Sequence, residues 1–149
     1  YEKIQKNEFF IFDNFRNINE FKEIQQQDKP FWKCTWKHFD PKDYWEISRS
    51  TQWLPAYTYA QEIGKEQAVI EKLKEWINQT PYLKGLDWAV PLDVAIRGIN
   101  FLLLYQQCKE QFLIEELWKH YVYLKRNLWI SKNSIRNNHY LGELTAVAI

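Results

Sequence analysis

Between residues 65 and 130, apolar side chains return every three or four positions, and glycine and proline gather in the breaks between the runs. That interval matches the 3.6-residue turn of an α-helix and not the two-residue period of a strand, so helices dominate what the chain can form. With four glycines and five prolines in 149 residues, there are few places for sharp reversals. The run from Lys65 to about Asn78 places Val69, Leu73, Trp76 and Ile77 on one face, and Pro81 and Gly85 stop it. Pro91 suits the first position of the next helix, to about Gln107, because a helix leaves its first N–H groups unpaired anyway. The apolar stripe of that helix is Leu92, Ala95, Ile96, Ile99, Leu102 and Leu103. A third run, from about Gln111 to Ile130, carries Leu113, Leu117, Tyr121, Leu124 and Leu128.

The remaining segments are read in the same way. Asp43 to about Ile63 reads as one helix, kinked at or tolerating Pro55. Asn17 to about Gln27 is a shorter candidate with Phe21 and Ile24 inward, and residues 28–40, rich in Trp and Phe, form an ordered loop. A last helix starts near Asn137 and runs toward Ile149. Helices joined by short loops pack antiparallel to their neighbours. The expected fold class is therefore all-α: one domain of antiparallel αα-hairpins, as a bundle or as part of an (α/α) toroid.

Composition narrows the function classes. Twenty basic and nineteen acidic side chains leave a formal charge of +1, with no concentrated positive stripe of the kind nucleic acid requires. The densest basic cluster, Lys119, Lys125, Arg126, Lys132 and Arg136, is interrupted by Trp118, Tyr121, Tyr123 and Trp129. Cys34 and Cys108 stand alone, without CxxC spacing; they read as buried free thiols or as a single disulfide, not as a zinc site. No apolar run reaches membrane-spanning length, and Ile99 to Tyr105 is the best of them. The chain begins at Tyr1 and has no Met, so it reads as a processed or excerpted piece. Eight Trp, nine Tyr and nine Phe exceed what a small helical core needs. Such rings fill cores, and they also stack on the apolar faces of sugars.

Three clusters carry chemistry. The first is Trp45-Glu46-Ile47-Ser48-Arg49 with Trp53. The second is Glu75-Trp76-Ile77-Asn78 with Pro81, Gly85 and Trp88, leading into the stretch from Leu92 to Asn100 that contains Asp93 and Arg97. The third is Asn137-Asn138-His139-Tyr140-Leu141-Gly142-Glu143. In this order and at about this spacing, from about Trp32 to Ile149, they resemble the helical domain of heparinase II/III-type and related alginate-lyase-like polysaccharide lyases. The resemblance implies an (α/α) toroid, present here in part, followed by a β-sandwich domain with the substrate cleft between them. It implies catalysis by an Asn-His pair, which falls on Asn138 and His139, with a Tyr proton donor and further His residues supplied from sequence beyond Ile149. It also implies an anionic polysaccharide as substrate and a bacterial periplasmic or secreted location.

The residues suit that chemistry. β-Elimination removes the C5 proton of a uronate, which is barely acidic while the neighbouring carboxylate keeps its full charge. Donors held against the carboxylate spread the charge that builds in the enolate-like transition state. Asn138 offers two N–H donors without titrating, and His139 can donate or act as base near neutral pH. Both fall in the first turn of the last predicted helix, where unpaired backbone N–H groups favour an anion. Glu143, four residues on, can reach the imidazole and fix its tautomer. Gly142 costs roughly 1 kcal/mol in a helix relative to Ala, which points to close packing or ligand approach.

Each of these readings has a plainer rival. Asn137 or Asn138 can serve only as a helix cap, with His139 a surface residue. Asp93, Arg97 and Asn100 share a helix face away from the apolar stripe. They form either a structural bridge or, through Arg97 and Asn100, a cleft lining that binds sugar carboxylate and hydroxyls. Trp88 and Tyr140 are the aromatic candidates beside the site. Glu46 and Arg49 read as a buried pair tying helices together, and His38 and His120 as incidental. No metal or cofactor is expected, since Asn138 and His139 perform the neutralisation that calcium performs elsewhere. An incomplete toroid arc should expose apolar side chains along one edge. The alternative functions are a non-catalytic carbohydrate-binding or assembly module of a polysaccharide synthesis or export system, and a helical-repeat interaction domain.

Overall fold

The computed structural model describes residues 1–38, 40–134 and 137–149. The chain divides into two compact units, Tyr1–Ala89 and Val90–Ile149. The fold is mostly helical, with seven α-helices and one two-stranded sheet among the described residues. No helix among them is long and apolar enough to cross a membrane.

The first unit opens with α1 (Glu2–Gln5) and an antiparallel hairpin of β1 (Glu8–Ile11) and β2 (Asn14–Asn17). Phe9 and Ile11 point into the core and Phe10 points out, the alternation that a strand imposes. The helix expected from Asn17 to Gln27 is instead the end of β2 and a 3-10 turn, Ile18–Phe21. Asn17 does cap that turn, accepting from Asn19 N–H while Glu20 accepts from Asn17 N–H. Helix cannot continue, because the backbone beyond it pairs elsewhere. The Gln25 carbonyl accepts from Leu86 N–H and the Lys29 carbonyl from Gly85 N–H, while Phe31 N–H donates to the Leu83 carbonyl, each at 2.9 Å. Residues 28–40 hold one 3-10 turn, Phe31–Lys33, and otherwise no regular element among the described residues.

Two helices, α2 (Lys42–Ser48) and α3 (Trp53–Glu62), replace the single kinked helix expected from Asp43 to Ile63. The break falls at Ser50, whose backbone is left-handed at φ 63°, and not at Pro55. Pro55 sits in the first turn of α3, where its missing N–H costs no intrahelical bond. α4 (Glu66–Asn78) buries Val69, Ile70, Leu73 and Trp76 against the unit's core, with Trp53 among its neighbours. Burial of side chains this large stabilises by about 1.5–3 kcal/mol each, well above differences in helix propensity.

The second unit is a three-helix bundle of α5 (Pro91–Cys108), α6 (Gln111–Ser134) and α7 (Asn138–Ala148). Lys109 ends α5 in the left-handed conformation, with φ 57°, and the chain reverses into α6. Gly98 of α5 lies against His120 of α6, and Gly142 of α7 against Leu92 near the start of α5. Ala146 and Val147 border the same pocket as Gly98 and Leu102. α7 therefore runs alongside α5 in the same direction, and α6 runs opposite to both.

The face that α5 buries differs from the one expected. Of the expected stripe only Ala95 is buried, together with Asp93, Val94, Arg97, Gly98, Phe101 and Leu104, whereas Leu92, Ile96, Ile99 and Leu102 are half-buried and Leu103 is exposed. A polar-looking face has become the interior because His120 of α6 supplies a partner for Arg97 there.

Candidate functional site

Asn138 and His139 are the first two residues of α7, and Asn137 is its cap. The Asn137 side chain accepts from His139 N–H at 2.9 Å, which answers one of the donors that a helix start leaves unpaired. Capping thus falls to Asn137 and leaves the Asn138 amide outside that role. Asn138 is exposed, and His139 and Tyr140 are half-buried. Because α5 and α7 run in the same direction, two helix N-termini share this end of the bundle with the C-terminal end of α6. Two partial positive charges against one negative make that end mildly favourable to an anion.

Deeper in the bundle the predicted residues are tightly held. Glu143 is only 1 % exposed, and its carboxylate oxygens lie 2.6 and 2.7 Å from Ser131 Oγ of α6. Among the described residues its hydrogen bond therefore comes from Ser131, not from the His139 imidazole that the i, i+4 spacing suggests. Burial pushes the Glu143 carboxyl up from its ordinary range, against the pull of the Ser131 hydroxyl and the nearby His139. Gly142 is a packing residue: a Cβ there would meet Leu92 Cδ1 at 2.7 Å.

Arg97 is 1 % exposed and does not stand on an open cleft wall. Its Nε donates to Nε2 of His120 at 2.7 Å. A guanidinium can only donate, so Nε2 must be the unprotonated nitrogen, and Nδ1–H then donates to the Glu116 carbonyl at 2.7 Å. Burial first, and the Arg97 charge second, push the His120 pKa well below its ordinary value. His120, which reads as incidental in the sequence, is thus a buried neutral partner. Asn100 is half-buried on the same helix.

Trp88 belongs to the first unit and is buried, edge-on to Tyr82 at 4.9 Å, so it presents no open stacking face. Arg49 donates from Nη1 to Glu46 within one turn at the end of α2, and both are half-exposed and not buried. Trp45 instead makes the longer connection, its Nε1 donating to the Leu86 carbonyl at 3.2 Å. Cys34 and Cys108 are free and half-buried. His38 is exposed.

A pocket of about 150 Å³ opens in the second unit between Ile99, Leu102, Leu117, Tyr121, Leu124 and Val147. Its wall is apolar and excludes Asn138 and His139, so it is separate from the predicted catalytic pair. Among the described residues no group of His, Cys, Asp and Glu is arranged to hold a metal ion.

The chain matches no family model, no curated protein and no solved structure.

Sequence reasoning missed Ser131 and His120, though a signal for both was present. Leu113, His120, Leu124 and Ser131 lie 7, 4 and 7 residues apart, on one inward stripe of α6. A polar residue on an apolar stripe requires a partner in the interior.

Proposed function

We propose that this chain is part of the helical half of a polysaccharide lyase that cleaves a uronate-containing polymer by β-elimination. The observation that carries the reading is the start of α7, where Asn137 does the capping and leaves Asn138 and His139 presented at the helix end. The resemblance of the three sequence clusters to heparinase II/III-type lyases supports it. In this reading the substrate carboxylate lies over the helix end. There Asn138 donates to it, and His139 donates or takes the C5 proton. Residues at i and i+1 point about 100° apart, so only a target over the end meets both. The two parallel N-termini of α5 and α7 add to the field that stabilises the enolate-like charge.

The wider architecture in this proposal is an (α/α) toroid, with the remaining Tyr and His of the active site outside residues 1–149, and the enzyme works in the bacterial periplasm or outside the cell. Arg97, Trp88 and Glu143 have no direct contact with substrate in it. Asn100 and Tyr140 keep that role.

The test is turnover of a panel of polyuronates by the full-length protein, followed through the ultraviolet absorbance of the unsaturated product. Asn138→Ala should lower kcat by roughly a hundredfold or more with little change in KM, as loss of one oxyanion donor does elsewhere. His139→Ala should cost at least as much and remove one limb of the pH–rate profile. Wild-type rates in a normally folded double variant would end the assignment.

A further inference from the structure

The turn that carries Asn138 and His139 is closed at its base by a buried polar contact. Ser131, in the last turn of α6, and Glu143, in the second turn of α7, bracket the residues in question. Both are buried, at 2.6 and 2.7 Å from hydroxyl to carboxylate. Just beside this contact, Gly142 sits against Leu92 of α5. The beginning of α7 is therefore held from two sides, by α6 through a hydrogen bond and by α5 through close packing. The two contacts do different things. Apolar packing resists separation, but the hydrophobic effect behind it is non-directional and demands no one orientation of a particular atom. A hydroxyl set between both oxygens of one carboxylate fixes rotation, since a turn of α7 about its axis would strand a buried acceptor. Stranding it costs about 1–3 kcal/mol, more if it is charged.

We propose that Ser131 and Glu143 are a positioning pair that fixes the rotation of α7 and so sets the direction in which Asn138 and His139 project. This deepens the lyase reading and rests on it for its catalytic consequence. Glu143 acts through the helix and touches no substrate; Ser131 acts through Glu143. A misplacement of reacting groups by about 1 Å costs on the order of a hundredfold in rate, so loosening this contact should appear in kcat.

The experiment has two arms on the full-length protein. The first is amide hydrogen exchange at residues 139–142, which needs no substrate. The second is kcat and KM on the polyuronate that wild type turns over fastest, well below the melting temperature. Ser131→Ala should speed exchange at these amides at least tenfold and lower kcat about tenfold or more, with KM within about twofold. Ser131→Thr, which keeps the hydroxyl, should restore both, and Glu143→Gln should fall between them. Wild-type exchange in Ser131→Ala would overturn the pair as a constraint. Faster exchange with wild-type kcat would overturn its positioning role, and so would equal loss in the Ala and Thr variants. If wild type turns over none of the polymers, the lyase reading fails, and the exchange arm still decides whether the pair fixes α7.

Discussion

Arg97 holds His120 in one tautomer: its Nε can only donate, and it reaches the imidazole Nε2 across 2.7 Å inside the bundle of α5, α6 and α7. The contact explains why α5 turns Asp93 and Arg97 inward and leaves Ile96 and Ile99 half-buried. It also makes the unit sensitive to acid.

His120 titrates well below 6.5 in the folded protein, through burial and then the Arg97 charge, and near 6.5 when unfolded. Between its lowered folded pKa and its unfolded pKa near 6.5, such a group binds fewer protons folded than unfolded. Its stabilising contribution is therefore complete above pH 6.5 and is lost as the pH falls from 6.5 toward the folded pKa. Urea midpoints should decline across this window in wild type, and less steeply in His120→Gln. Parallel slopes for the two proteins would show that His120 does not carry the effect.

In the first unit, Tyr44 donates its phenol to Asp87 Oδ2 at 2.6 Å, with both residues buried. Tyr44→Phe keeps the ring and removes the donor to a buried carboxylate. The expected loss of stability is about 1.5–3 kcal/mol, read from chemical denaturation. A change under about 0.5 kcal/mol would mean that the contact is absent in solution.

Two glycines should respond in opposite directions to the same substitution. Gly85 has φ 73°, and a Cβ there would meet the Gln25 carbonyl oxygen at 2.8 Å, so Gly85→Ala is strained and also blocked by backbone. It should destabilise by at least about 1–3 kcal/mol. Gly98 is helical, and its Cβ would find His120 Cβ at 3.5 Å, an ordinary contact. Gly98→Ala should then be neutral or stabilise by up to about 1 kcal/mol through helix propensity. Thermal melts of both variants decide the matter.

Both thiols titrate above their ordinary value, chiefly because burial disfavours the thiolate. Since the thiolate is the reactive form, Cys34 and Cys108 should alkylate more slowly near neutral pH than a free thiol does. Denaturant should release both to the free rate. Native-state labelling as fast as that of glutathione would contradict this.

The helices from Glu66 onward were legible in the sequence because their evidence is periodic and spread over many residues. α4, α5 and α6 begin within a residue or so of where periodicity puts them. The hairpin was not legible. Its two-residue turn uses Phe12, left-handed at φ 53°, where glycine or asparagine would have given a signal, and its strands span four residues each. The break at Ser50 was hidden for the same reason, a left-handed residue without a glycine. At the candidate site, the helix start and its cap could be read from Asn137-Asn138-His139. The partners of Glu143 and Arg97 could not, since Ser131 and His120 become neighbours only once α6 is laid beside α7 and α5.

The backbone pairing of residues 25–31 with residues 83–86 bears on the order in which the chain gains structure. It joins segments roughly sixty residues apart, so the entropy of closing that loop must be met before its bonds can contribute. In the second unit α5 meets α6 across a two-residue link. On refolding, the helices of residues 90–149 should acquire protection from exchange first. The stretch around Gln25 and Gly85 should close last, making it the slowest step in the maturation of the N-terminal unit.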